Sequence, residues 1–252
     1  IKPFSMPRER TSNDYQGFLG HCEVVDLVTP ATTHFRFLMK LLDLGKDIFV
    51  EKPITMNSAE AEEIAKKVEQ TKRIVQVGYH YRYHPLTLWL KGMLQSGTLG
   101  EIRYIKGDFK GFKRPRVDVG VTHTDAIHFF DLMNFLLETT PTTISTTMRD
   151  YFPRGSSVRF DDLSLSTLTY SGKYGETLVH IEAGYVQPAD LLDPVVPGAM
   201  TQKLIELSGT KKSVRVDYER GIVTVYHSYH LSENGAWKAL NEGTSSPHVA
   251  LK

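Results

Sequence analysis

Lys52 and His128 are the two side chains best suited to move a proton. Lys52 stands between Glu51 and Pro53, directly after the apolar run Asp47-Ile48-Phe49-Val50. Pro53 fixes its own φ and keeps Lys52 out of helical geometry, so the amine is held at a strand end. An amine enclosed in a cleft can exchange a proton near neutral pH. An exposed turn lysine is the plainer alternative. His128 lies in the run from Thr124 to Leu137, with Thr124 at i−4, Asp125 at i−3 and Asp131 at i+3 on one helical face. Phe129, Met133 and Leu136 make an apolar stripe on the other side. A neighbouring carboxylate orients an imidazole and favours its charged form. A surface ion pair or a satisfied core histidine fits the same spacing. His123, just before this helix, is a further candidate.

Other chemistries lack their residues. The remaining histidines (His21, His34, His80, His84, His180, His227, His230 and His248) show no metal-ligand spacing, and Cys22 is the only cysteine. Neither a metal site nor an internal disulfide is therefore expected. The sequence has no G-x-S-x-G nucleophile turn. Lysine and arginine number 30 against 29 acidic residues, a balance that argues against nucleic acid as a partner. The group Lys113, Arg114 and Arg116 reads as a solvated loop. No apolar run reaches the roughly 18 residues that a membrane span needs. The densest run, Phe129 to Leu137, is broken by Asp131 and Asn134. A chain of 252 residues, 40% of them apolar, can bury a core unaided and suits one large or two small domains.

These residues need elements to position them. Val24 to Thr29 reads as a buried strand stopped by Pro30, and Thr33 to Leu44 as a helix closed by Gly45. Asp47 to Val50 is a second strand. Asn57, with Glu60 three residues on, opens a helix whose buried face is Ala61, Ile64, Ala65 and Val68. Arg73 to Gly78 is a third strand. Apolar strands alternating with amphipathic helices imply a parallel sheet, and ligands of such sheets bind outside the carboxyl ends of the strands. Thr29-Pro30, Glu51-Lys52-Pro53 and Tyr79-His80-Tyr81-Arg82 sit at those ends. Tyr79, Tyr81 and Tyr83 alternate as a strand would, and read as packing residues. The second part combines helices at Pro85 to Gln95 and Thr124 to Leu137 with strands at 101–107, 142–148, 163–170, 176–185, 203–208, 213–218 and 222–227. The fold class is α/β: a partial Rossmann parallel sheet, then an α+β domain with an open, mainly antiparallel sheet. The expected division is 1–82 for dinucleotide binding and 83–252 for substrate binding and oligomerisation.

In order and spacing these segments resemble the glucose–fructose oxidoreductase, inositol dehydrogenase and rhizopine-catabolism (Gfo/Idh/MocA) family of NAD(P)-dependent oxidoreductases. The resemblance rests on Val25-Asp26-Leu27-Val28-Thr29-Pro30 with His34, and on Gly45 to Pro53 with its Glu51-Lys52-Pro53 signature. It continues through Val77 to Pro85, Ile127-His128-Phe129-Phe130-Asp131-Leu132, and Ile205 to Thr210.

The resemblance implies hydride transfer between NAD or NADP and a sugar, polyol or sugar derivative. It makes Lys52 the proton donor or acceptor, with His128 and Asp125 as its catalytic partners. Thr29, Pro30, His34, Glu51, Lys52, Pro53 and Arg82 would line the cofactor, and Lys52, His80, Thr124, Asp125 and His128 the substrate. Many relatives carry Asp four residues before the histidine; here that place is Thr124, with Asp125 beside it. The Gly-rich G-x-G-x-x-G turn is absent, residues 1–15 do not supply it, and the first residue is Ile1. The printed chain is therefore expected to lack both ends of the family pattern. Alternatives on the same scaffold are a glycoside hydrolase using a retained nicotinamide and a non-catalytic sugar- or nucleotide-binding regulator. Leu163, Leu165, Thr167 and Thr169 on one side of their strand, and Ser164, Ser166, Leu168 and Tyr170 on the other, leave neither side strongly charged. A homodimer or homotetramer through that sheet is expected. With no signal-peptide pattern and no apolar span, the expected location is cytoplasmic.

Overall fold

Parallel strands need crossovers, and the first part of the chain supplies them as two helices. In the computed structural model, which describes residue 17 and residues 19–154, 159–193 and 197–249, β1 (Val24–Leu27), β2 (Asp47–Val50) and β3 (Val75–Val77) form a parallel sheet in the order β1-β2-β3. Residues 1–15 and 250–252 lie outside the described residues. Helix α1 (His34–Asp43) buries His34, Leu38, Leu41 and Leu42 on one side. It follows a single 3₁₀ turn over Ala31–Thr33, so the expected helix starts tighter than an α-helix. Gly45, at φ 68, turns the chain into β2. Helix α2 (Ser58–Thr71) opens as the sequence suggests, with the Glu60 N–H donating to the Asn57 side chain at 2.9 Å. Leu27, Leu38, Leu41, Leu42, Ile48, Val50 and Ile64 form this unit's core together with Leu19.

One expectation here fails. Val24 to Thr29 is read as a buried strand, yet within β1 only Leu27 is buried and Val24 is 62% exposed. Among the described residues β1 pairs only with β2, which leaves its outer edge uncovered.

Contacts divide the chain between Gly78 and Tyr79, ahead of the 82/83 boundary read from sequence. The cause lies in the residues that follow β3. His80–Tyr83 form a 3₁₀ turn, not the strand that the tyrosine alternation suggests. Tyr81 enters the second unit's core while Tyr83 stays 66% exposed.

The second unit is an open sheet with helices on one face. Its strands are β4 (Ile102–Lys110), β5 (Thr143–Arg149), β6 (Leu163–Gly172), β7 (Gly175–Gly184), β8 (Leu191–Leu192), β9 (Met200–Gly209), β10 (Ser213–Asp217), β11 (Ile222–Glu233) and β12 (Ala236–Ser245). Their order is β12-β11-β10-β9-β4-β7-β6-β5, with β8 beside β9. Only β4 and β7 pair in parallel; every other neighbouring pair is antiparallel. Helices α3 (Pro85–Gln95) and α4 (Ile127–Leu137) bury Leu86, Leu90, Phe129, Leu132 and Leu136 in one core with Ile105, Val179, Ile181, Ile205 and Val214. Gly107 of β4 allows the close approach. A Cβ at that position would stand 2.7 Å from Cδ2 of Phe129.

On β6 the core side is Ser164, Ser166, Leu168 and Tyr170. The opposite face is uncharged on β6 itself, but elsewhere it carries ion pairs. Arg215 pairs with Glu206, and Lys106 and Lys110 both pair with Asp108. Strand β12 and the outer half of β11 are absent from the sequence reading. Both are exposed on either side, so no apolar alternation marks them.

Gly107→Ala is expected to lower stability by about 1–3 kcal/mol through overpacking against Phe129, measured by urea unfolding. An unchanged midpoint contradicts the tight helix–strand contact. Asn57→Ala is expected to cost about 1 kcal/mol by removing the cap of α2, and the same assay checks it.

Candidate functional site

Each unit presents candidate residues of its own. In the first, β1, β2 and β3 run in parallel, so their carboxyl ends share one edge. The ladder between β1 and β2 closes with the Glu51 N–H donating to the Leu27 carbonyl at 3.1 Å. Beyond it both segments reach proline, which has no N–H to donate. The His34 ring fills the gap. It is 1% exposed, and its Nδ1 and Nε2 stand 2.8 Å from the carbonyl oxygens of Pro53 and Thr29. The Thr33 hydroxyl donates to the Pro30 carbonyl at 2.7 Å and lies 2.9 Å from the Thr29 hydroxyl. The Lys52 N–H donates to Glu51 Oε2 at 3.3 Å. Thr29, Pro30, Glu51 and Lys52 are thus open or half-open at the edge, whereas Pro53 and His34 are buried.

This edge fits the nicotinamide end of a dinucleotide, since it offers small, partly exposed groups and an amine at the strand ends. The pyrophosphate end calls for a glycine-rich turn at a helix N-terminus, which the described residues do not contain.

In the second unit His128 is 4% exposed and sits among rings. The Phe109 ring lies parallel to it, with centroids 5.8 Å apart and planes at 10°. His80 and Tyr81 meet it edge-on at 4.8 and 5.3 Å. The two carboxylates expected beside it each pair with a cation. Asp131 accepts a two-pronged pair from Arg82, from Nε at 2.8 Å and Nη2 at 2.5 Å. That hydrogen bonding raises the basicity of the Arg82 guanidinium. Burial, with the nearby Asp131 charge, pushes the Tyr79 phenol up to about 12. Burial and the neighbouring His80 lower the pKa of His84.

Asp125 pairs with a cation of its own. The Lys113 ammonium lies 3.3 Å from it and 3.8 Å from Asp193. The Thr124 hydroxyl is 2.7 Å from that of Tyr185. Burial raises the pKa of Tyr185. Thr122–Ala126 form a π-helical turn, and the α-helix starts only at Ile127. The wider turn changes the spacing that an α-helix would give Thr124 and Asp125 ahead of His128.

Sequence reasoning missed Phe109, Tyr185 and Lys113. Lys113 reads as solvated, but its side chain is 11% exposed and its ammonium lies 5.1 Å from the Phe109 ring centre. A usable signal exists in the alternation Ile105, Gly107, Phe109, Gly111, Lys113, which carries the inward face of β4 past its last residue. Among the described residues no three metal-ligating side chains gather. No helix is long and apolar enough to cross a membrane.

Comparison with known proteins assigns both units. Residues 5–79 match the model of the oxidoreductase family with an NAD-binding Rossmann fold, and residues 87–215 match the GFO/IDH/MocA C-terminal domain. The scyllo-inositol 2-dehydrogenase (NAD(+)) of Bacillus subtilis is 32% identical over 128 residues, which cover 49% of this chain and 37% of that protein. The inositol 2-dehydrogenase of Rhizobium meliloti is 28% identical over 60% of this chain and 48% of its own length. The chain thus spans less than half of these curated relatives. In fold it is similar to an inositol dehydrogenase homolog from Azotobacter vinelandii, complexed with NADH and myo-inositol, at a TM-score of 0.72 and 21% identity over 94% of this chain and 62% of that one. A levoglucosan dehydrogenase in complex with NADH and levoglucosan gives a TM-score of 0.73 at 18% identity, over 92% of this chain and 65% of that one. With both halves matched in order, the chain belongs to the GFO/IDH/MocA oxidoreductase family.

Proposed function

We propose that this chain is part of an NAD(P)-dependent oxidoreductase that moves a hydride between the nicotinamide and a sugar, polyol or sugar derivative. The observation that carries the reading is the amine of Lys52 at the carboxyl edge of a parallel sheet whose sequence matches an NAD-binding Rossmann family. The relatives named above as acting on inositols support the polyol class. When bound, the nicotinamide supplies the hydride acceptor or donor. Thr29, Pro30 and Glu51 would line its nicotinamide end. Lys52 takes the proton from the substrate hydroxyl as the carbonyl forms, and returns it in the reverse direction. In the second unit, His128 is the candidate to hydrogen-bond substrate. His80, Thr124 and Asp125 contact the remaining hydroxyls, with Lys113 holding Asp125. Demand for a nicotinamide pool, in a chain with a single cysteine, fits a cytoplasmic location. Two or four copies associate through the outer face of the second-unit sheet, where exposed Leu178, opposite Thr169 of β6, accompanies the ion pairs.

Lys52→Ala is expected to lower NAD(P)+-dependent turnover on a panel of inositols and sugars by about 10²–10⁴-fold. Melting temperature and cofactor affinity, read by fluorescence titration, should stay near wild type. Undiminished turnover contradicts the role of Lys52, and glycoside cleavage without net NADH formation replaces the dehydrogenase reading. Sedimentation velocity at micromolar concentration should give a dimer or tetramer; a monomer counts against the sheet interface.

A further inference from the structure

We infer that His34 is a positioning residue that fixes the Lys52 turn, and that it does not itself contact the cofactor. The inference rests on the function proposed above and on the geometry beneath the strand ends. Carbonyls of Thr29 and Pro53 face each other across the end of the β1–β2 ladder. Buried carbonyls require donors, but the next residue after Thr29 is Pro30, and Pro53 has no N–H either. The backbone therefore cannot continue the ladder. His34 sends its ring in from the first turn of α1, a separate element. Its nitrogens stand 2.8 Å from both oxygens. One N–H serves one carbonyl, and a ring carrying both protons serves the two together.

The Pro53 contact falls one residue after Lys52. It fixes the backbone on the far side of the lysine, while the Glu51 carboxylate accepts the lysine's own N–H on the near side. The turn that aims the amine is thus held at both flanks. At 1% exposure the His34 ring has little surface left to offer a ligand.

Two near-conservative variants separate the two contacts. His34→Asn places an amide nitrogen where Nδ1 stood, so it can still serve Pro53. His34→Gln places one where Nε2 stood, so it can serve only Thr29. Both lose packing and one contact. The expected ranking of kcat is wild type, then Asn, then Gln and Ala, with His34→Gln down about 100-fold and KM for the cofactor little changed. Hydrogen exchange across residues 51–55 of the full chain should follow the same ranking, with the turn opening in Gln and Ala and staying closed in Asn. Equal exchange in Asn and Gln, or kcat losses that simply follow melting temperature, overturns the inference. A wild-type chain without turnover on any polyol defeats the functional reading instead, and the exchange ranking still decides the role of His34.

Discussion

The contact between one imidazole and two carbonyl oxygens holds the edge on which the functional reading depends. Parallel strands bring their carboxyl ends together, but ending a strand leaves backbone groups without ladder partners. In the first unit prolines remove the donors that would otherwise close the gap, and His34 replaces them from α1. The same prolines disfavour helical backbone at Thr29 and Lys52. A single local rule, the missing proline N–H, therefore both ends the strands and calls for a buried histidine. The turn that presents Lys52 follows from that pairing.

The second unit solves a different problem. Helix α4 has to bury an apolar side against the sheet while carrying His128 and Asp131 into the same interior. Gly107 makes room for Phe129, and the polar groups are compensated one by one. Asp131 is neutralised by Arg82, and Asp125 by Lys113. Unpaired buried carboxylates would destabilise the unit by several kcal/mol, so these pairings come before any catalytic use of the same residues. His128 is left in an aromatic surround of His80, Tyr81 and Phe109.

Much of this was legible in the residues. The βαβαβ alternation, the Asn57 cap and the strand-end position of Lys52 follow from short-range patterns, and short-range patterns are what a sequence displays directly. The family resemblance likewise rests on segments whose order and spacing survive in the fold. The failures share a cause. The π-helical turn at Thr122–Ala126 inserts a fraction of a turn ahead of His128 that no apolar periodicity reveals. The burial of Lys113 depends on β4 continuing its alternation past Gly111. The ribbon of β11 and β12 beyond His227 is exposed on both faces and so carries no period to read. The contact partners of His34 lie 5 and 19 residues away along the chain, and only folding shows that they meet at one ring.

In the reaction proposed above, hydride leaves a carbinol carbon for a nicotinamide while Lys52 takes the hydroxyl proton. Isotope tracing tests it most directly. The full chain is incubated with NAD(P)+ and a polyol deuterated at its ring carbons, and the reduced cofactor is weighed by mass spectrometry. The expected result is one deuterium per reduced nicotinamide, none of it exchanged with solvent. Reduced cofactor without label, or label lost to water while the cofactor stays oxidised, would contradict it.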